Sequence, residues 1–265
     1  MQRHCGVVSL VASTILVGST GFVGSTLNQQ RPFDLGVHRP TVAEIENQEA
    51  SLLVCAGLPA AKYLANQQPT EDWDNVCKLA ASLSTVIAKQ FVLISTVDVY
   101  QPPVDVDETV PPALHGAEAY GRNRSWFEQF VAARFADFRI IRLPGLLGSG
   151  LRKNLVYDLL EGREEQWRNA NGRSQFQFFN VDVLWPLIDQ VLASDVRILN
   201  VSAEPITAQA VADQFDVELG SDGREVRYNM TSIHADQFGG AEGYLVSAAD
   251  QLSAIQHLKQ NWRSE

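Results

Sequence analysis

Short apolar runs alternate with helix-length segments along most of the chain. The runs are brief, rich in Val, Ile, Leu and Phe, and bounded by Gly, Pro or polar residues, which is typical of β-strands. They predict strands at 14–17, 33–37, 52–56, 91–94, 138–143 and 197–201. Within these runs the apolar residues are continuous rather than alternating, a pattern that indicates strands buried on both faces of a sheet.

Helices are predicted between the strands, several of them opened by Thr, Pro or an acidic first turn. They cover 22–30, 41–48, 69–89, 118–136, 183–193 and 207–215, with a closing helix near 247–262. This β-α alternation predicts an α/β protein with a Rossmann-type, doubly wound parallel sheet. The proline-rich, acidic stretch 101–112 is predicted to be a loop without regular structure.

The alternation loosens beyond Gly145, where further glycines and a charged patch precede an aromatic run at 176–179. This change predicts an excursion into a second, smaller lobe. We therefore expect a Rossmann domain formed by residues 1–150 plus 176–202. The small lobe, formed by 151–175 plus 203–265, is expected to cover a substrate.

The composition limits the class of partner. With 265 residues, 45% of them hydrophobic, the chain fits one sizeable domain with or without a smaller lobe. Lys and Arg number 21 against 31 Asp and Glu, a net charge of -10 that disfavours a nucleic-acid partner. A small anionic ligand stays compatible with this charge, because a helix N-terminus and a few basic side chains can bind it locally.

Three cysteines, Cys5, Cys55 and Cys77, are too few for a disulfide framework and favour a reducing cytoplasm. The apolar run 5–17 after Arg3 has the outline of a weak secretory signal, but it continues directly into a glycine motif, so we favour a strand. No uninterrupted apolar run reaches the ~18 residues of a membrane span. The five histidines are scattered without ligand spacing, so we expect no metal site.

A glycine-rich turn follows the first predicted strand and opens the first predicted helix. Its residues are Gly18, Ser19, Thr20, Gly21, Phe22, Val23 and Gly24. A dinucleotide pyrophosphate needs a tight turn, a backbone without Cβ atoms in its way and helix N–H groups directed at it. Glycines used only for close packing are the alternative. Because the motif lies in the first βα unit of an alternating chain, we expect a dinucleotide site.

The end of the second strand helps to choose the dinucleotide. There, an acidic side chain would accept hydrogen bonds from the adenosine ribose, whereas a basic one would pair with a 2′-phosphate. The strand ends in Val37, His38 and Arg39, and Asp34 lies too early to reach the ribose. This favours NADP, bound through Arg39, over NAD. A solvated Arg39 without a ligand, and NAD as the cofactor, are the alternatives.

A phenol and a cation share one face of the fourth predicted helix. Tyr120 and Arg124 are four residues apart, and a guanidinium beside a phenol stabilises the tyrosinate. An unperturbed tyrosine titrates near ~10, so a tyrosine base needs such help together with a hydrogen-bonding hydroxyl. Thr96, at the end of the fourth strand, could supply that hydroxyl. An exposed tyrosine and a solvated arginine are the alternative.

In their order and spacing these motifs resemble the extended short-chain dehydrogenase/reductases, the NAD(P)-dependent epimerase/dehydratase family. The resemblance covers most of the chain, and its residues are Gly18, Gly21 and Gly24, Ser95-Thr96, Val99-Tyr100, Asp107-Glu108 to Pro112, Tyr120, Arg142-Leu143-Pro144 to Gly148, and Leu199-Asn200-Val201. It implies that Thr96 polarises the substrate, that Tyr120 exchanges a proton with it, and that a nicotinamide carries the hydride. It also implies cofactor contacts at Ala56, Gly57 and Pro144.

Two departures from the family pattern qualify the expected chemistry. The family's Tyr-x-x-x-Lys has Arg124 in the lysine's place, and the two cations are not interchangeable, since a guanidinium is larger and planar. The acid pair that follows the threonine in the sugar dehydratases is Val97 and Asp98 here. Without the first acid, proton delivery for water elimination is incomplete, so reduction or epimerisation ranks above dehydration.

The resemblance implies a nucleotide-sugar or a related small carbonyl compound as substrate. Asp98, Arg152, Lys153 and Asn154 are its candidate ligands, with a solvated helix start as the alternative for the last three. A protein of another class, an NAD(P)-binding sensor or assembly partner with little catalysis, stays open because of Arg124. The family often pairs the tyrosine helix in a homodimer, and the apolar residues 126, 127 and 130 fit either that or packing on the sheet.

Overall fold

A computed structural model describes residues 13–113 and 117–262. In chain order the strands are β1 Thr14–Val17, β2 Leu35–Val37, β3 Glu49–Cys55, β4 Ile87–Thr96, β5 Val104–Val106, β6 Phe138–Leu143, β7 Gly145–Leu147, β8 Gln175–Phe176, β9 Phe178–Asn180, β10 Ile198–Asn200, β11 Ile206–Thr207 and β12 Asn229–Met230. The helices are α1 Phe22–Gln30, α2 Lys62–Gln67, α3 Pro69–Ser84, α4 Ala119–Arg134, α5 Leu155–Leu160, α6 Glu164–Trp167, α7 Leu184–Leu192, α8 Ala208–Asp213 and α9 Ala248–Asn261.

Six strands form the central sheet, in the order β2-β1-β3-β4-β6-β10, and every neighbouring pair is parallel. These are the six strands that the apolar runs predict, so the α/β fold with a parallel sheet is confirmed. The strand order reverses between β1 and β3. In open α/β sheets ligands bind at such a switch point, outside the carboxyl ends of the strands.

Helices cover both faces of the sheet. Successive residues of β1 point to opposite sides, so Ile15 and Val17 pack with α3 and α4, whereas Leu16 packs with α1 and α7. The side chains on both sides are almost fully buried. Continuous apolarity in the strands is therefore explained by two buried faces rather than one.

Two of the predicted helices differ from the structure. The segment predicted at 41–48 is a 3₁₀ helix at Arg39–Ile45, with Pro40 near its start. His38, the residue before this helix, contacts the Thr41 hydroxyl through its ring. The helix predicted at 69–89 ends at Ser84. The residues from Ile87 onward continue β4 instead, because they pair with β3 from Glu49. Tertiary pairing thus overrides the local helical pattern.

The stretch 101–112, which the sequence predicts to be a loop without regular structure, contains a short strand. Val104–Val106 form β5, which pairs with β12 across more than a hundred residues. The two valines alternate with Asp105, whose φ of 54° lies in the left-handed region, so the ladder is irregular at that point. The pairing attaches this stretch to the C-terminal part of the chain.

A third apolar cluster lies beyond the sheet and joins the segment after β7 to the C-terminal helices. Its buried members are Leu147, Leu151, Val156, Leu159, Phe178, Ile206, Ala208, Val211, Ala212, Leu219, Ile255 and Leu258. β7 pairs with β9, and β8 pairs with β11. The division into two domains at the predicted boundaries stays a prediction.

Cys55 is buried on β3 and Cys77 is half-buried on α3, and both are free thiols. Cys5, His4, His115 and the apolar residues of the opening run up to 12 lie outside the described residues. Within 13–113 and 117–262, no helix has both the length and the apolarity needed to cross a membrane.

Candidate active site

The glycine turn joins β1 to α1 at the switch point. Gly18 has a φ of 88°, and its N–H donates to the Val37 carbonyl at 2.7 Å. A Cβ at Gly18 would overlap the Ala56 carbonyl, and one at Gly24 would overlap the Gly18 carbonyl. Strand, turn and helix are therefore in backbone contact, which only glycine permits here. Gly21 precedes α1 without a side-chain cap, so the first helical N–H groups have no side-chain partner.

The other predicted cofactor residues surround this turn. Ala56 donates its N–H to the Val17 carbonyl at 2.8 Å, and a Cβ at Gly57 would lie 2.9 Å from the Val17 side chain. Pro144 is buried between β6 and β7. Beyond β7, the chain packs on the Phe22 ring at the start of α1: a Cβ at Gly150 would lie 2.9 Å from that ring. These segments bring the ends of four strands to one edge of the sheet.

The end of β2 places His38 and Arg39 beside the turn. The Ser19 hydroxyl donates to the Val37 carbonyl at 3.2 Å, so the two predicted segments are neighbours. Arg39 is exposed, and within the described residues its guanidinium has no acidic partner. Asp34, at the other end of β2, accepts two hydrogen bonds from Thr14, which hold its pKa below the usual value.

Tyr120 lies in the first turn of α4 and is only 8% exposed. Its N–H donates to the Asn66 side chain at 2.9 Å, which attaches the start of α4 to α2. Burial raises the pKa of Tyr120 above its usual value, and the lowering effect of Arg124 does not offset it. Asp98 raises the pKa further, while the neighbouring Thr96 hydroxyl and the charge of Lys62 lower it. The phenol is therefore protonated at neutral pH.

Arg124 lies beside Tyr120, as its spacing predicts, but it does not face the hydroxyl. The guanidinium carbon lies 4.1 Å from the centre of the Tyr120 ring, over the ring face. One of its terminal nitrogens donates to Asp72 on α3 at 2.9 Å, and the other donates to the second carboxylate oxygen of Asp72. Arg124 is 1% exposed, so this is a buried ion pair. The cation is engaged by a carboxylate that the sequence analysis did not consider.

Asp98 is the centre of a second polar cluster, which the sequence did not reveal. Its Oδ1 accepts from the Lys62 ammonium at 2.7 Å and from the Tyr228 hydroxyl at 3.2 Å. Burial lowers the pKa of Lys62, but Asp98 and Tyr228 outweigh it and raise the pKa overall. Burial raises the pKa of Tyr228 to about 12. Neither Lys62 nor Tyr228 belongs to a sequence motif, and both come from distant parts of the chain.

The three predicted substrate residues after β7 have different environments. The Lys153 ammonium donates to the Ala60 carbonyl, and burial lowers its pKa. Arg152 is exposed. The Asn154 side chain accepts from the Tyr157 N–H at 3.0 Å and donates to the Leu146 carbonyl at 2.9 Å, so it caps α5. The Asn154 amide therefore has a structural role, and of the three residues only Arg152 and Lys153 offer a positive charge to a ligand.

A buried network supports the strand ends beneath this cluster. Arg142 on β6 forms a bidentate ion pair with Glu128 on α4, in which its Nε and Nη2 donate to the two carboxylate oxygens at 3.0 and 2.7 Å. Its remaining nitrogen donates to the Tyr100 hydroxyl at 2.5 Å. Ser95 donates to Glu128 at 2.5 Å and Asn200 to Tyr100 at 3.1 Å. Charged groups buried and paired in this way fix the ends of β4, β6 and β10 relative to α4.

The site therefore combines a glycine turn able to receive an anion with a buried phenol, a hydroxyl at Thr96 and a lysine–carboxylate pair. Within the part of the chain that the structure describes, no group of His, Cys, Asp or Glu side chains could hold a metal ion. The chemistry available to these residues is proton transfer next to a bound anionic ligand.

Comparison with known proteins confirms the fold that the resemblance implies. No protein-family model matches the chain, and no curated protein matches it. Among solved structures, it is similar to dTDP-4-dehydrorhamnose reductase from Bacillus anthracis str. Ames in complex with NADP. The TM-score is 0.70 at 15% sequence identity, and the match covers 93% of this chain and 97% of that one.

Two further structures share the fold over similar lengths. UDP-glucose 4-epimerase from Thermotoga maritima, solved with UDP-glucose, gives a TM-score of 0.69 at 12% identity and covers 93% of this chain and 97% of its own. MoeE5 in complex with UDP-glucuronic acid and NAD gives 0.71 at 15% identity, covering 95% and 100%. At these identities the similarity establishes the fold alone.

Proposed function

We propose that this protein is an NAD(P)-dependent oxidoreductase or epimerase acting on a nucleotide-sugar or a related small carbonyl compound. The observation that carries the proposal is the position of Tyr120. Its phenol is buried next to Thr96 at the carboxyl end of β4, on the edge of the sheet that holds the glycine turn. Three solved structures with this fold contain a dinucleotide, a nucleotide-sugar, or both.

The residues at the switch point fit a dinucleotide. Gly18 and Gly24 let strand, turn and helix meet in backbone contact, and the uncapped start of α1 presents N–H groups suited to a pyrophosphate. Arg39, exposed at the end of β2 without an acidic partner in the described chain, suits a 2′-phosphate and favours NADP, with NAD as the second choice. When bound, the nicotinamide supplies or accepts the hydride.

Tyr120 acts as the acid in this proposal. Because burial raises its pKa, the phenol carries its proton at neutral pH and can donate it to a carbonyl oxygen. Thr96 orients that oxygen through its hydroxyl, which already accepts from the Asp98 N–H at 3.2 Å. A protonated phenol favours the reductive direction over abstraction of a proton from an alcohol.

The surroundings of Asp98 suit an anionic substrate and disfavour elimination of water. Lys62 binds this carboxylate, Lys153 responds to its charge, and Arg152 is exposed nearby in sequence. Val97, which stands where a dehydratase has its first acid, is buried and apolar. Asp98 is engaged by Lys62 and Tyr228. Reduction and epimerisation therefore rank above dehydration.

A second candidate function is supported by Arg124. Its guanidinium is committed to Asp72 and to the carbonyls of Pro59 and Tyr120, so the cation that the family directs at the cofactor lies against α3. A dinucleotide-binding sensor or assembly protein with little turnover fits that arrangement. Such a protein would bind NADPH and still leave it unoxidised with every substrate offered.

Oxidation of NADPH, followed at 340 nm with a panel of nucleotide-linked keto-sugars, tests the proposal. The expected result is turnover by the natural protein, and a loss of roughly 10²- to 10⁴-fold in kcat for Tyr120→Phe with NADPH still bound. Tyr63→Phe, at a 70% exposed tyrosine of α2, is the matched control and should turn over normally. NADPH binding without turnover of any substrate would favour the sensor. Undiminished turnover by Tyr120→Phe would refute the assigned role.

A further inference from the structure

The segment that leads into α2 is fixed against the site rather than free on the surface. Arg124 donates to the Pro59 carbonyl at 2.5 Å, and Lys153 donates to the Ala60 carbonyl. Asn66 accepts from the Tyr120 N–H at 2.9 Å and donates to Glu118 at 2.7 Å. Lys62 lies between these anchor points, so its backbone is held close to the start of α4.

The Lys62 side chain connects solvent to the polar cluster. Its ammonium lies 2.7 Å from Asp98 Oδ1 and 3.4 Å from the Tyr228 hydroxyl, which is itself 3.2 Å from the same carboxylate oxygen. The lysine side chain is 40% exposed, whereas that of Asp98 is 16% exposed. Each of the three groups is therefore within hydrogen-bonding distance of the other two, and the ammonium is on the solvent side of the cluster. Ordering the flexible lysine side chain between two partners costs conformational entropy, which these contacts must offset.

Charged groups face Tyr120 from several elements. Arg124 comes from its own helix, but a bidentate carboxylate compensates the guanidinium charge. Asp98 follows β4, its backbone carbonyl lies against Gly121, the residue after Tyr120, and its charge raises the pKa of the phenol. Lys62 reaches it from α2, Lys153 faces Asp98 from the segment before α5, and Tyr228 approaches from the segment before β12. Of the two lysines, only Lys62 makes a hydrogen bond to Asp98.

We propose that Lys62 is the positioning residue that offsets the charge of Asp98 beside the Tyr120 hydroxyl. The inference rests on the proposed function and deepens it. When the phenol proton moves to a carbonyl oxygen, the O–H bond of Tyr120 breaks and a new O–H bond forms on the substrate. The carbonyl carbon would accept a hydride from a bound dihydronicotinamide as the C=O π bond opens, so the substrate is reduced, the cofactor is oxidised and a tyrosinate remains. Without Lys62, that tyrosinate would develop next to an uncompensated carboxylate. With Lys62, the developing anion lies near an ammonium, which favours it.

Titration of Tyr120 tests the inference without requiring a substrate. The protein is labelled with ¹³C at the tyrosine ring carbon that bears the hydroxyl, and the Tyr120 signal is identified by its absence from Tyr120→Phe. Lys62→Met should raise the pKa of Tyr120, and Asp98→Asn should lower it. In the double variant the two changes should largely cancel. A Tyr120 titration that is the same in Lys62→Met as in the natural protein would overturn the inference.

Two further variants separate charge from folding. Lys62→Arg keeps the cation and should leave the Tyr120 titration close to that of the natural protein. Lys78→Met removes an exposed lysine of α3 and should also leave it unchanged. If Lys62→Met does not fold, Lys62→Arg with and without Asp98→Asn still decides the matter. In that pair, Asp98→Asn must lower the pKa of Tyr120, and an unchanged pKa contradicts the inference.

A kinetic measurement distinguishes failure of this inference from failure of the proposed function. If a substrate turns over, Lys62→Met should reduce kcat at neutral pH by about tenfold or more with little change in KM. If no substrate turns over but the Tyr120 signal moves as expected, the charge balance stands and the proposed function fails. If turnover is found and the signal does not move, the reverse holds.

Discussion

The guanidinium of Arg124 lies 4.1 Å from the centre of the Tyr120 ring, and it donates to Asp72 on the neighbouring helix α3 rather than to the phenol hydroxyl. Asn123 donates to the same carboxylate at 2.8 Å. The result is a buried junction between α3 and α4 directly beneath the candidate acid. Arg124 thus holds Tyr120 in two ways: its guanidinium packs on the phenol ring, and its ion pair fixes α4 against α3.

The first prediction concerns this junction. Asp72→Ala leaves the Arg124 charge buried without a counter-ion, which costs about 3 kcal/mol or more of unfolding free energy. Urea unfolding of the variant and the natural protein measures the difference. Glu164→Ala is the control, because the Glu164–Arg168 pair is exposed by 62% and 59% and contributes well under about 1 kcal/mol. Equal losses in both variants would contradict the assigned role of Asp72.

The second prediction concerns the choice of cofactor. Arg39→Glu should weaken NADPH binding about tenfold or more and favour NADH, because a carboxylate repels the 2′-phosphate and accepts from ribose hydroxyls. Calorimetric titration with both dinucleotides measures the two affinities. The same change of charge at the exposed Arg168 should alter neither. Unaltered affinity for both dinucleotides in Arg39→Glu would remove Arg39 from the site.

The third prediction concerns Cys55. Burial raises the pKa of its thiol from the usual 9.0 to about 12. Below pH 9 both the folded and the unfolded chain keep the proton, so the contribution of this group to stability is constant there. Between pH 9 and 12 the unfolded chain loses the proton while the folded chain keeps it. Stability should therefore fall by about 1.4 kcal/mol per pH unit from this group.

Urea unfolding between pH 8 and 11 checks this slope. Cys55→Ala should lose less stability per pH unit above pH 9 than the natural protein, whatever its stability at pH 8. Cys77→Ala, at the half-buried thiol of α3, is the matched control and should keep the natural slope. Identical slopes in all three proteins would mean that Cys55 is not protected from ionisation.

Local patterns account for what could be predicted from the sequence. The glycine turn lies within one strand, turn and helix, so Gly18 to Gly24 could be placed from their order alone. The central strands were equally accessible, since burial on both faces leaves continuous apolar runs. Tyr120 and Arg124 are one helical turn apart, which fixes their proximity but not the direction of the guanidinium.

The rest depends on partners that are remote in sequence. Asp72 precedes Arg124 by 52 residues, and Asp98 is separated from Lys62 by 36 residues and from Tyr228 by 130. No periodicity in a single chain reports such pairs. The same reason explains β5, which the stretch 101–112 forms only because β12 pairs with it.

Binding of NADPH is the most direct test of a dinucleotide site at the glycine turn. A methyl group at Gly21 would lie 3.4 Å from the Gly18 carbonyl, an ordinary contact, so Gly21→Ala should fold normally while placing a side chain where the pyrophosphate approaches. Gly220→Ala, with nothing within 4 Å of the added methyl, is the control. Calorimetry should show NADPH binding to the natural protein and to Gly220→Ala, weakened about tenfold or more in Gly21→Ala. No binding to the natural protein, or equal binding to all three, would contradict the account.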